Sequence, residues 1–225
     1  MSQPGDQPAA SVAAWEAAYL RFETPAEEIA KFTRRLKKLG ADDWPRDAEI
    51  IELFCGRGNG LRALAQLGFT QLEGVDLSPR LLAEAPRGFP CREADSRRLP
   101  LAAASKDFVI IQGGLHHLAQ LPDDLNRTLA EAARVLRAGG RIVIVEPWLT
   151  PFLKFVHAVC RVPLARRCWP KLDALAVMIE HERATYDQWL AQPRLILNVL
   201  DRHFTTEHCA ARCGKLWFRG SKPIA

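Results

Sequence analysis

No stretch of this chain is both long and apolar enough for a good membrane span. The longest apolar run, Leu149–Ala165, is interrupted by Lys154, His157 and Arg161. The opening MSQPGDQPAASVAAW has no basic start followed by an apolar run, so no signal peptide is expected. The six cysteines contain no CxxC pair. Without an export signal they read as reduced thiols, and the expected location is cytoplasmic. Internal repeats and low-complexity tracts are absent, which leaves no sign of a repeat array. His203, His208, Cys209 and Cys213 are close in sequence, but on a strand His208 and Cys209 point to opposite faces. No metal is expected from them.

What is present is ordinary in bulk and uneven in detail. The chain has 225 residues, 48% hydrophobic and 25% charged. That suits one domain with a sizeable core, or a domain plus a cap. The net charge of +5 comes from residues 151–225, where lysine and arginine outnumber the acids by six. This is either a solvated basic surface or an attraction to an acidic substrate or anionic surface.

The stretch EIIELFCGRGNGL, Glu49–Leu61, organises the rest. A short apolar strand ends near the acid Glu52, passes through Gly56, Gly58 and Gly60, and runs into a helix. Glycine has no Cβ, so such a turn brings backbone close to a ligand. A βα alternation follows. Strand 2 is expected at Leu72–Asp76, strand 3 near Pro90–Ala94 and strand 4 at Asp107–Gln112. A helix is expected over Pro122–Leu136, then a turn at Gly139-Gly140 into strand 5, Arg141–Glu146. Ahead of strand 1, Thr24-Pro25 with Glu27 and Glu28 marks a helix start, and Gly40 its end. Residues 148–200 read as a mostly helical cap, and Phe204–Cys213 and Lys215–Lys222 as two last strands.

Polar residues gather at strand ends, where ligands bind in open α/β sheets. Asp76 after strand 2 suits a ribose diol, because a carboxylate accepts from both hydroxyls. A polar residue after strand 3, Asp95, suits an adenine amino group. Glu52 beside the glycines would repel a pyrophosphate and welcome a cation, and the spacing is GxGxG rather than GxGxxG. Both disfavour a nicotinamide dinucleotide.

The ordered set ELFCGRGNG, GVDLS, EADSRRLPL, DFVIIQGGLHHL and RVLRAGGRIVIVEP resembles the class I S-adenosylmethionine-dependent methyltransferases. The resemblance covers Ile50 to Pro147, with a matching end in GKLWFRGSKP. It implies an α/β fold with a doubly wound, mostly parallel seven-stranded sheet, the last strand antiparallel, helices on both faces and a helical cap. In that arrangement residues 1–48 lie over the cofactor, 49–147 form the cofactor-binding core, 148–200 make the acceptor site, and 201–225 complete the sheet. The implied cofactor is S-adenosyl-L-methionine, with S-adenosyl-L-homocysteine as product. Glu52, Phe54, Cys55, Gly56 and Gly58 would wrap its methionine part. Asp76 would take the ribose hydroxyls with Leu77 beside the adenine. Ala94, Asp95 and Ser96 would meet the adenine edge, and Gln112 and Gly113 would border the sulfonium. Tyr19 and Arg21 are candidates for the cofactor pocket, Arg21 toward the carboxylate. One position departs from the family pattern: its first glycine is Phe54 here.

Transfer of a methyl group needs a nucleophile held in line and a dry site. A hydroxyl nucleophile also needs a base. His116 and His117 follow strand 4 and are candidate bases, with local packing as the alternative. Glu146, ending strand 5, is a rival base or a hydrogen-bonded structural carboxylate. The expected partner is a small-molecule, natural-product-like acceptor. A lipid or quinone acceptor is the second enzyme reading, and a cofactor-binding protein without transfer is the non-enzyme one. Nucleic acid is disfavoured, since QGGLHH stands where enzymes acting on base amino groups carry an Asn/Asp-Pro-Pro-aromatic motif. Contact with a membrane surface through Phe152, Phe155 and Val159 among basic residues is the weaker partner reading.

Overall fold

The computed structural model describes residues 17–224. The expected disorder of residues 1–11 and the helix signal at Val12 and Trp15 lie outside them. After helical residues 17–22 comes α1, Pro25–Lys38. Thr24 caps it as the sequence suggests. The Thr24 hydroxyl accepts from the Glu27 N–H at 3.3 Å, and the Glu27 carboxylate accepts from the Thr24 N–H at 3.0 Å. Gly40 leaves the helix at φ +96°.

Seven strands follow: β1 (Glu49–Leu53), β2 (Gln71–Asp76), β3 (Cys91–Glu93), β4 (Lys106–Gln112), β5 (Leu136–Pro147), β6 (Thr205–Arg212) and β7 (Lys215–Ser221). They form one sheet in the order β3-β2-β1-β4-β5-β7-β6. β7 runs antiparallel to both its neighbours, and the other pairs are parallel. This is the sheet the resemblance implied. The helices between strands are α2 (Asn59–Gln66), α3 (Pro79–Leu82) and α4 (Asp123–Val135). After β5 come α5 (Pro151–Cys160), α6 (Pro163–Cys168), α7 (Pro170–Ala191) and α8 (Pro193–His203).

Alternation along the central strands divides the core. Ile51, Leu53, Val109, Ile111, Ile142 and Ile144 pack with α4 and α8 on one face. Ile50, Phe108, Ile110, Val143 and Val145 pack with α1 and α2 on the other. The same parity aims the strand-end polar residues. Glu52, Asp76 and Gln112 follow the α1–α2 face, whereas Glu146 follows Ile142 and Ile144 to the opposite one.

Two expectations are corrected. Gly139 and Gly140 do not precede the fifth strand but lie inside it. Between the pairs Lys106↔Leu136 and Phe108↔Arg141, one residue of β4 stands opposite four of β5, and Gly139 at φ +72° supports that bulge. The helical run after β5 also divides. α8 packs on α4 in the layer flanking the sheet, and α7 packs on the turn Leu115–His117. The Trp189 indole N–H donates to the Pro147 carbonyl at 2.8 Å and ties α7 to the end of β5. No helix among the described residues is long and apolar enough to cross a membrane.

Candidate active site

The cleft at the carboxyl ends of β1, β2 and β4 begins at the glycine turn. Gly56 takes φ +50° and Gly58 φ +70°. Phe54 stands at φ +58°, in the left-handed region that glycine enters freely. The turn is therefore retained at the position where the family pattern is broken, at a backbone cost of about 1–2 kcal/mol. The Phe54 side chain lies across Gly114. A Cβ on Gly114 would stand 2.2 Å from Phe54 Cγ, so glycine there makes room for the ring. Cys55 turns its thiol toward Gly74 of β2 and the Cys91 thiol, leaving its backbone to face the cleft.

Glu52 is buried, and α2 rests directly on it. A Cβ on Gly60 would be 1.8 Å from Glu52 Oε1, so only glycine lets the helix start there. Burial, and then the nearby Glu28, push the Glu52 carboxyl well above its ordinary pKa. Its Oε2 and both amide atoms of Gln112 are buried without a hydrogen-bond partner among the described residues. Buried polar atoms are normally paired, and each left unpaired costs about 1–3 kcal/mol. A cationic group with N–H donors would satisfy Glu52 Oε2 and Gln112 Oε1, leaving Gln112 Nε2 to donate to an acceptor.

Asp76 is set for a second ligand group. Its Oδ2 accepts from the Gly56 N–H and its Oδ1 from the Ser78 N–H, both at 2.8 Å. One lone pair on each oxygen remains for a diol. Leu77 is 59% exposed beside it, and Gly113, at φ +85°, follows Gln112. Tyr19 reaches the turn: its hydroxyl donates to Glu28, which also accepts from Asn59 Nδ2 at 2.8 Å, and Arg57 lies over its ring.

Three expected contacts are otherwise engaged. Arg21 pairs with Asp173 of α7 at 3.3 Å. Two positions along a helix lie about 200° apart, so a helix that turns Tyr19 to the glycines turns Arg21 away. The Asp95 carboxylate is held by Arg97, with Nη2 at 2.7 Å and Nε at 3.0 Å, and Arg97 also binds Asp124 at 2.8 Å. This pairing holds the Asp95 pKa below its ordinary value. The Ser96 hydroxyl lies 3.3 Å from that of Thr128 in α4, inside the core. Ala94 donates its N–H to the Asp76 carbonyl at 3.0 Å, leaving segment 94–96 to meet a ligand chiefly by backbone.

The other side of the cleft is assembled across β4, β5 and α7. Glu146 is fully buried. Its Oε1 accepts from the N–H groups of Gly114 at 2.7 Å and Leu115 at 2.8 Å, and Oε2 lies 2.8 Å from His116 Nδ1. Burial opposes its charge, but these partners outweigh it and hold its pKa low. Both of its oxygens are engaged within the loop after β4. His116 is buried too. Desolvation works against its charge, but Glu146 and Glu182 raise its pKa to about 9. His117 is pushed down, to about 4, by desolvation and then by the His116 charge, and its side chain, 39% exposed, moderates that depression.

Glu182 is the residue that sequence reasoning missed. Its carboxylate lies 3.7 Å from His116 Nε2 and 3.7 Å from His117 Nδ1. Tyr186, four positions on, is 3.2 Å from His157 Nε2 of α5 and packs edge-on to His116. An acid at i with an aromatic at i+4 and Trp189 at i+7 was the available signal, since one helix face then carries a carboxylate among buried rings.

Residues 51–144 match the family model described as a methyltransferase domain. A demethylmenaquinone methyltransferase of Chlorobaculum parvum is 28% identical over 51% of this chain and 48% of its own length. A dimethylglycine N-methyltransferase of Parasynechococcus marenigrum is 27% identical over 72% of this chain and 64% of its own. The chain thus spans between about half and two thirds of these relatives. Among solved structures, a putative S-adenosyl-L-methionine-dependent methyltransferase of Methanococcus maripaludis superposes with a TM-score of 0.66 at 15% identity, covering 100% of this chain and 98% of the other. That likeness concerns the fold. Residues 51–144 thus carry the match to a methyltransferase domain, and the sheet order, glycine turn and strand-end acids around them have the arrangement of the fold seen in the solved methyltransferase structure.

Proposed function

We propose that this protein binds S-adenosyl-L-methionine and transfers its methyl group to a small-molecule acceptor. The observation that carries the reading is the buried Glu52 Oε2 beside the unpaired Gln112 amide at the glycine turn. Together they offer a site for a positively charged group carrying N–H donors. S-adenosyl-L-methionine supplies a methyl carbon activated by positive sulfur and leaves as S-adenosyl-L-homocysteine.

The chain's residues divide the work. Glu52, Gln112 and the turn Phe54–Gly58 hold the charged end, with Cys55 and Gly56 contributing backbone and Tyr19 closing over the turn. Asp76, already oriented by two backbone N–H groups, accepts from the ribose hydroxyls. Leu77 and segment 94–96 border the adenine, and Gly113 leads toward the acceptor side. There Glu146 fixes the backbone of Gly114 and Leu115 and sets the His116 ring. His116, His117 and Glu182 face the acceptor's nucleophile, which they orient for in-line attack. Calorimetric titration with S-adenosyl-L-methionine, and in parallel with NAD, tests the cofactor. Micromolar binding of the first alone supports the proposal, and binding of NAD alone overturns it. Full activity in His117→Ala would remove that ring from the acceptor's handling.

A lipid-like or quinone-like acceptor is the second reading, favoured by one surface. Leu149, Phe152, Phe155 and Val162 recur at helical spacing along α5 and its flanks and stay exposed, Phe155 at 66%. Beside them an open groove of about 740 Å³ is lined by Arg21, Arg161, Arg166 and Arg167 along with Asp173. An apolar stripe next to arginines suits an anionic membrane surface. Co-sedimentation with phosphatidylglycerol vesicles but not phosphatidylcholine vesicles supports this reading, and no co-sedimentation with either removes it.

A further inference from the structure

The acceptor side of the cleft carries a set of side chains with the chemistry of a metal centre. One ligating atom each from His116, His117 and Glu182 can be chosen so that all three lie within 4.8 Å of one another. Glu182 spans the two rings, with Oε2 3.7 Å from His116 Nε2 and Oε1 3.7 Å from His117 Nδ1. These separations exceed a hydrogen bond. They suit an atom held between the groups, since two ligands each about 2.1 Å from a tetrahedral ion lie about 3.4 Å apart.

The surroundings prepare these atoms as ligands. His116 Nδ1 faces Glu146 Oε2 at 2.8 Å, so a proton on Nδ1 leaves the Nε2 lone pair directed at Glu182. A carboxylate behind an imidazole orients the ring and raises its basicity toward a metal. Glu146 is in turn held by two backbone N–H groups. The two carboxylates, Glu146 and Glu182, balance a dication when both imidazoles are neutral. His117 is open on one side, which gives an ion a way in and leaves a coordination position free. Two histidines, one carboxylate and an open position form a ligand set for zinc and its neighbours in the first transition row.

We propose that His116 Nε2, His117 Nδ1 and the Glu182 carboxylate bind one divalent transition-metal ion, whose open position receives the acceptor's nucleophilic oxygen or nitrogen. The role given to the acceptor rests on the methyl-transfer reading, but the ion site does not. Without an ion, the alternative is a proton on His116 shared between Glu146 and Glu182.

The test uses the full chain, stripped with chelator and titrated with Co²⁺ as a spectroscopic stand-in for zinc. The same samples are titrated with S-adenosyl-L-methionine by calorimetry. The expected result is one equivalent of Co²⁺ with visible ligand-field bands and no thiolate charge-transfer band, displaced by Zn²⁺. Glu182→Gln and His117→Ala should each weaken that binding at least ~10-fold, the lower end of losses seen when even an outer partner of a metal site is removed. Both should still bind S-adenosyl-L-methionine, which shows that they are folded. Co²⁺ that binds through thiolates, that is indifferent to both substitutions, or that fails to bind overturns the proposal. A chain that takes the ion but no S-adenosyl-L-methionine overturns the methyl-transfer reading and leaves the ion site standing. The reverse result overturns the ion site alone.

Discussion

On the β1–β2 side of the cleft, the ligand-facing groups come from one continuous piece of chain. Glu52, the glycine turn and Asp76 lie within a single strand–turn–helix–strand unit, and the Gly56 N–H bonds directly to Asp76. On the β4–β5 side, the groups come from three separate pieces. Gly114, Leu115 and the two histidines follow β4, Glu146 ends β5, and Glu182 belongs to α7. Glu52 Oε2 on the first side and the Gln112 amide at the end of β4 are left unpaired, whereas Glu146 at the end of β5 is saturated. One side is a shape awaiting a charged ligand. The other is a network whose members hold one another in place.

The largest effect follows from cutting the network at its centre. Glu146→Ala leaves two backbone N–H groups and the His116 ring without their partner in a fully buried place. Breaking such a pair should cost about 3–5 kcal/mol of stability, read from urea unfolding. A loss under about 1 kcal/mol would mean that Glu146 does not organise this side.

The two sides touch where Phe54 crosses Gly114. Gly114→Ala should destabilise by about 1–3 kcal/mol through overpacking. Most of that should vanish in a Phe54→Gly background, a coupling that a double-mutant cycle measures. Additive losses would remove the steric link.

Asp76→Ala should weaken S-adenosyl-L-methionine binding by about 1–3 kcal/mol, because it strips acceptors from the ribose hydroxyls. Unchanged affinity would sink the assignment of Asp76.

A pH-dependent effect sharpens the edge of the acceptor side. Lys215 begins β7 opposite Pro147, and burial, then Arg35 and Lys31, push its pKa down to about 7 against the attraction of Glu146 and Glu23. Between pH 7 and about 10 the unfolded chain then holds a proton that the folded one has lost. Stability contributed by this group therefore rises with pH across that window. Lys215→Met should flatten the rise in the urea midpoint, and an unaltered profile would contradict the depressed pKa.

The smallest change is expected from Arg21→Ala. Its partner is the partly exposed Asp173, so cofactor affinity should stay within about 0.5 kcal/mol. A tenfold loss would return Arg21 to the cofactor's carboxylate.

Much of the first side was legible in the chain because its signals are local. A strand ending in Glu52, three glycines at fixed spacing, and Asp76 after the next strand are set by backbone sterics and strand alternation, which act over a few residues. The cap at Thr24 follows equally from short-range pattern, whereas the sheet with its antiparallel last strand was implied by the resemblance. Phe54 looked like a break in that pattern, yet the fold holds it in glycine's own conformation and clears space for it at Gly114. That compensation lies sixty residues away and has no local trace.

What tertiary structure alone decided is how side chains share partners across those distances. Asp95 is claimed by Arg97, Ser96 turns to Thr128, and Arg21 pairs with Asp173. Both oxygens of Glu146 are engaged by two N–H groups and a histidine ring from the loop after β4. Glu182 meets the histidines because α7 packs on the turn Leu115–His117, with the Trp189 indole bonded to the Pro147 carbonyl at the end of β5. Residue type and spacing determine which groups a strand or helix presents. Which of them meet, and so which are free to do chemistry, depends on long-range packing.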